Sequence, residues 1–182
     1  MRNGHLYPGD LGYMSKEGLL YVKGRFKSLL ISSDGEKYSP EGIEEALVEK
    51  SPFIDQVMLY NNQCATTTAL IVANKDALRR YLKDNNLKPE SEEGRKAALM
   101  KLEGELARFK KGGEFQGMFP ERWLPSSFAV LAEPFTEQNQ MINSTMKMVR
   151  PKIEKAYKER IDYIYTSEGK QTLNHQNMDS VF

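Results

Sequence analysis

Cysteine and histidine are scarce in this sequence of 182 residues, which has one cysteine, Cys64, and two histidines. A single cysteine excludes an internal disulfide, and so few soft ligands leave little basis for a Cys/His metal site. Long hydrophobic runs are missing too. No apolar run exceeds five residues, against the roughly 20 that a membrane-spanning helix needs. The opening residues, Met-Arg-Asn-Gly-His-Leu-Tyr-Pro, lack the apolar stretch of a signal peptide, so a cytoplasmic location is expected. Neither sign of charge dominates. The formal net charge is +1, which gives no bulk field toward nucleic acid or an anionic membrane. There is no internal repeat.

A chain of this length forms one ordinary domain, burying roughly two thirds of the surface that it exposes when unfolded. Its organising stretch is Lys23–Glu45, KGRFKSLLISSDGEKYSPEGIEE. Gly24-Arg25-Phe26-Lys27 sets two cations beside a glycine; on residue type alone this is a solvated basic turn. Ser28–Ser32 is a short apolar strand candidate. Ser33-Asp34-Gly35-Glu36 is turn chemistry, with Gly35 free to take positive φ. Ser39-Pro40 reads as an N-cap followed by proline at the first helical position. Upstream, Lys16-Glu17-Gly18 between short apolar segments predicts a hairpin over residues 12–22. Asp10 reads by itself as a turn residue.

Downstream, residues 40–50 form an amphipathic pattern, with Ile43 and Leu47 inward and Glu44, Glu45 and Glu49 on a solvated face. Residues 53–60 and 66–72 are strand candidates, the second β-branched and apolar enough for a central position. Cys64, beside the turn between them, reads as a packed or idle thiol. Short and long helices are predicted over 76–82 and 91–111, the second carrying a stripe of Leu99, Leu102, Leu106 and Phe109. Residues 113–127 hold Phe115, Met118, Phe119 and Trp123 among glycines and prolines. That stretch is either a loop pinned to the core or an exposed aromatic patch meeting a partner. Residues 128–132 form a buried strand candidate, residues 151–165 a helix, and the polar tail 169–182 reads as disordered. The fold class expected is α+β: an N-terminal hairpin, then a small sheet of about three strands packed with helices.

Four motifs in order carry a resemblance: Gly-Asp-Leu-Gly (9–12), Gly-Arg-Phe-Lys (24–27), Gly-Glu-Lys-Tyr-Ser-Pro-Glu-Gly-Ile-Glu (35–44) and Asn-Ser-Thr-Met-Lys-Met-Val-Arg (143–150). Together they resemble the C-terminal end of an adenylate-forming enzyme, in the long-chain fatty acid–CoA ligase branch. The resemblance implies that residues 1–23 close a large N-terminal domain, and that 24–168 form a mobile lid domain. It also implies roles. Asp10 would contact the ribose hydroxyls of ATP, and Arg25 the ribose and phosphate. Lys27 would be the hinge, Gly35 and Glu36 the loop facing CoA, and Lys147 the adenylation lysine. No metal ligand is implied within this chain. ATP, Mg2+ and CoA would be bound mainly by or with the missing large domain, which is the expected partner together with a fatty acid. No nucleic acid is implied, and there is room for peripheral membrane contact. The family's glycine after Asn139 is Gln140 here, and its proline before Thr145 is Ser144. On residue type alone Lys147 is a solvated lysine. Two rival readings stay open: a free-standing binding or regulatory module with the lid fold, and the lid of an enzyme that loads a carrier protein or an aryl acid.

Overall fold

The strand over Thr68–Ala73 has no polar face: all six residues are buried. Alternation sends Ala69 and Ile71 to one side and Leu70 and Val72 to the other, and a separate apolar cluster receives each set. That continuous apolar run makes it the central strand of a sheet covered on both faces. The computed structural model describes residues 9–25 and 28–182.

In chain order the elements are β1 (Asp10–Met14), β2 (Leu20–Arg25), β3 (Leu30–Ser32), β4 (Lys37–Tyr38), α1 (Glu41–Lys50), β5 (Ile54–Tyr60), β6 (Asn62–Cys64), β7 (Thr68–Ala73), α2 (Lys75–Asp84), α3 (Glu92–Ala107), β8 (Ser127–Leu131), α4 (Arg150–Ala156), α5 (Lys158–Ile164) and α6 (His175–Ser180). β1 and β2 form an antiparallel hairpin. β4, β3 and β6 form a small second sheet, and β5, β7 and β8 the main one, with β5 antiparallel and β8 parallel to β7. The architecture is the α+β arrangement expected, with one more small sheet. A bulge separates Leu11 from Gly12 in the hairpin. A Cβ on Gly12 would stand 2.6 Å from the Tyr21 carbonyl oxygen, so only glycine fits there.

On one face of the main sheet, residues from α1, α2 and α3 pack with Val57, Leu59, Ile71, Phe128 and Val130. On the other, Ile153 of α4 and Ile161 and Ile164 of α5 meet Met58, Leu70, Val72 and Leu131. Burying each such Leu or Ile contributes about 1.5–3 kcal/mol. Asn74 and Ser91 cap α2 and α3, accepting from Ala77 N (2.8 Å) and Gly94 N (3.0 Å).

Five expectations need correction. Pro40, not Ser39, occupies the N-cap of α1, and no side chain caps that helix. Glu44 of its expected solvated face is buried, because an arginine 106 residues away pairs with it. The long helix, expected to run to residue 111, ends at Ala107. The helix expected over 151–165 divides at Tyr157, whose backbone leaves the helical well at φ −107°, ψ 22°.

The fifth concerns the tail, which is ordered rather than disordered. In α6, the fully buried Asn177 donates through Nδ2 to Phe128 O (3.2 Å) and accepts Val130 N (2.9 Å) at Oδ1. An exposed strand edge is a row of unpaired polar groups. The polar composition of the tail supplies partners for the open edge of β8. The aromatic stretch resolves toward the core-pinned alternative: Phe115, Phe119 and Trp123 pack against the main cluster.

Candidate functional site

Lys147 sits in a tight loop held by one side chain. Asn143 Oδ1 accepts Thr145 N (3.0 Å), Thr145 Oγ1 (2.8 Å) and Lys147 N (2.9 Å). Asn143 N donates to Lys147 O (3.0 Å), and Met146 N to Asn143 O (2.9 Å). Asparagine suits this because its side-chain oxygen stands in for a backbone carbonyl in a turn. The loop base is closed by an antiparallel bridge between Ile142 and Met148 and by Val149 N donating to Met141 O (2.8 Å). Met146 takes φ +59°, as does Gln140 at φ +60° on the way in. Both conformations disfavour a side chain. Gln140 stands where the resembling family keeps glycine, and its backbone keeps glycine's conformation.

The Lys147 side chain is exposed, and among the described residues no carboxylate pairs with it. It borders an open groove of about 580 Å³, whose lining includes Glu41 and Glu45 of α1, Gln56 of β5, Phe135, Met146 and Arg150. Behind the loop lies a buried ion pair. Arg150 pairs through Nη2 with Glu44 and donates through Nη1 to Leu59 O (3.1 Å), while Glu44 Oε1 accepts Leu59 N (2.6 Å). The two side chains thereby satisfy both backbone groups of Leu59 on the open edge of β5. Burial pushes the Glu44 carboxyl up, against the pull of the Arg150 guanidinium. Nearby, the Gln56 amide pairs with Phe135, donating to its carbonyl (3.0 Å) and accepting its N–H (2.7 Å). The segment that carries Lys147 is therefore fastened along β5 on either side of the lysine, at Phe135 and at Arg150.

The second loop, between β3 and β4, has its own brace. Asp34 Oδ1 accepts Ser32 Oγ (2.5 Å) and Glu36 N (3.1 Å), and Gly35 takes φ +83°. Glu36 forms two bonds with Arg122, at 2.6 Å from Nε and 2.5 Å from Nη2. The Arg122 guanidinium holds the Glu36 carboxyl below its ordinary value, and the Ser32 hydroxyl does the same for Asp34.

The hairpin brings Asp10 and Arg25 into register as cross-strand partners at its open end. Lys27 lies outside the described residues. The described side chains include no group of three or more His, Cys, Asp or Glu residues placed to hold a metal ion, and no helix long and apolar enough to cross a membrane. Sequence reasoning missed Asn143, Glu44, Arg150 and Arg122 as the side chains that brace the two loops. Asn-Ser-Thr is recognisable as turn chemistry, but the ion pairs join residues 86 and 106 apart and leave no local signal.

The fold matches the C-terminal region of adenylate-forming enzymes. The adenylation domain of the carboxylate reductase from Mycobacterium chelonae aligns with a TM-score of 0.72 at 25% identity, over 91% of this chain and 24% of that one. The corresponding domain from Segniliparus rugosus, in complex with AMP and a co-purified carboxylic acid, aligns at 0.65 and 24% identity, over 87% and 23%. By sequence, the curated relatives include long-chain fatty-acid–CoA ligases. The Gallus gallus ligase ACSBG2 is 26% identical over 99% of this chain, and the Xenopus laevis ACSBG2 is 29% identical over 94%. A putative fatty-acid–CoA ligase from Mycobacterium tuberculosis, fadD11, is 28% identical over 91%. The chain spans about a quarter of the length of these relatives, between 25% and 28%. No family model matches it.

Proposed function

We propose that this chain is the C-terminal lid of an AMP-forming fatty acid–CoA ligase and supplies the lysine of the adenylation step. A large domain would provide the acyl pocket and most of the nucleotide site. In the first half-reaction a carboxylate oxygen attacks the α-phosphorus of ATP, and pyrophosphate leaves. Lys147 would stabilise the charge that shifts onto the α-phosphoryl oxygens while holding the carboxylate beside them. A compact ammonium on a long stem suits both contacts. Asp10 would hold the ribose hydroxyls, and Arg25 the ribose and phosphate. Any Mg2+ on the nucleotide would be held with the large domain. Rotation at Lys27 would then withdraw Lys147 and bring the Gly35–Glu36 loop to the acyl-adenylate for attack by the CoA thiol.

The observation that carries this reading is the setting of Lys147. Its backbone is braced by Asn143 while its ammonium stays exposed at the rim of a groove, as a group delivered to a ligand held elsewhere requires. The hairpin supports it as well. Met14, Leu20 and Val22 lie on one face at 64, 66 and 66% exposure, an apolar face of the kind that marks a contact surface.

The test uses ATP, Mg2+ and palmitate. The isolated chain, freed of host ligase, is expected to release no pyrophosphate, whereas the full-length protein should do so. Formation of acyl-AMP by the isolated chain would sink the proposal.

A further inference from the structure

The β3–β4 hairpin should not hold its shape unaided. Its two strands share only the pairs Leu30↔Tyr38 and Ile31↔Lys37; β3 is also held by β6, but β4 lies on the free edge of this small sheet, where so short a pairing is marginal in water. Its tip is nevertheless tied from outside by the long segment between α3 and β8. There Trp123 stacks face to face on Tyr38, with ring centres 5.1 Å apart and planes 5° from parallel. The Tyr38 hydroxyl pairs with Thr67 on the sheet side. One residue before Trp123, Arg122 forks onto both carboxylate oxygens of Glu36. The same guanidinium lies 5.8 Å from the Trp123 ring centre. The same segment is pinned upstream, where Phe115 and Phe119 pack on Phe109 just past the end of the long helix, 5.0 and 6.4 Å between ring centres. A planar, bidentate fork restrains orientation as well as distance.

We propose that Arg122 and Trp123 are positioning residues for thioester formation: they hold the Gly35 backbone in the one conformation that can line the path of the thiol. This rests on the reading of the Gly35–Glu36 loop given above. In that half-reaction the thiol sulfur attacks the acyl carbonyl carbon. The bond from that carbon to the phosphate oxygen breaks, AMP leaves with the electron pair, and the thiol proton passes to solvent. With both Glu36 oxygens engaged by Arg122, Glu36 anchors the loop and Gly35 presents its backbone to the ligand. Adenylation, which uses the Lys147 loop, does not draw on this clamp.

The experiment takes the full-length protein and its Arg122→Ala, Arg122→Lys and Trp123→Phe variants. It measures pyrophosphate release and, separately, thioester formation from preformed acyl-AMP. For Arg122→Ala we expect unchanged pyrophosphate release and a thioester rate lower by about ten- to a hundredfold, the range in which small misplacements of reacting groups act. Arg122→Lys keeps the charge but loses the fork, and should fall between Ala and wild type. Amide hydrogen exchange at Gly35 and Glu36 should quicken in Arg122→Ala without a change in global melting temperature. Equal loss of both half-reactions, or unchanged thioester rate and exchange, would overturn the proposal. A wild-type protein that carries out neither half-reaction would overturn the underlying reading, and this one with it. Wild-type activity with an indifferent Arg122→Ala would overturn the clamp alone.

Discussion

The loop of Lys147 and the loop of Gly35 are built on one local plan and anchored in opposite ways. Each is a tight turn around an amide or carboxylate side chain, Asn143 in one and Asp34 in the other. The first is fastened from behind by the Glu44–Arg150 pair, with side chains only 5 and 11% exposed. The second is fastened at its tip by Glu36–Arg122, with side chains 28 and 64% exposed. The first leaves its cation unneutralised, and the second neutralises its anion. A loop that must present a charge has its anchor elsewhere and buried. A loop that presents backbone can spend its own charged side chain on being held.

Breaking the buried anchor should have the largest effect on stability. Glu44→Ala strips the Arg150 guanidinium of its buried counter-ion and the Leu59 N–H of its acceptor, at a cost of about 3–5 kcal/mol, readable as a lower denaturant midpoint. If that midpoint is unchanged, the buried pair is not what holds the Lys147 segment. Lys147→Ala should do the reverse. The exposed side chain contributes little to stability, but adenylation in the full-length protein should fall by about 10²–10³. Thioester formation from supplied acyl-AMP should be spared, and equal loss of both steps would contradict the assigned role.

A smaller effect is expected at Gln140, which holds φ +60°. Gln140→Gly should raise stability by about 1 kcal/mol through relief of the left-handed conformation, less whatever its contact with Lys152 contributes. A destabilised variant would mean that this contact outweighs the strain.

The smallest is a pH effect on the exposed anchor. The folded-state values of Glu36 and Asp34 are lowered, chiefly by Arg122 and Ser32 respectively. Their contribution is therefore present above the unfolded values of about 4 and is lost as pH falls through the folded ones. The protection factor of the Gly35 amide should fall over that acid range, whereas the Lys147 loop, whose turn is braced by neutral Asn143, should respond at higher pH, where its buried anchor Glu44 with its raised value takes up a proton. Simultaneous loosening of both loops would erase the distinction between them.

Much of this was legible in the sequence. Five-residue apolar runs and β-branched composition marked β7 and β8, and the stripe of Leu99, Leu102, Leu106 and Phe109 marked the buried side of the long helix. Motif order and spacing pointed, by resemblance, to the adenylate-forming fold. The role of Glu44 was not legible, since its spacing on α1 is that of a surface residue. Nor was that of the tail, whose polar composition gives no sign that Asn177 will meet β8.

The chain by itself determined the central strands and the long helix, because periodicity and turn chemistry act over a few residues and need no distant partner. Only the tertiary structure decided which charged groups become anchors. Glu44 meets Arg150, and Glu36 meets Arg122, once the fold has brought segments remote in sequence together. A carboxylate is bound or solvated according to what faces it there.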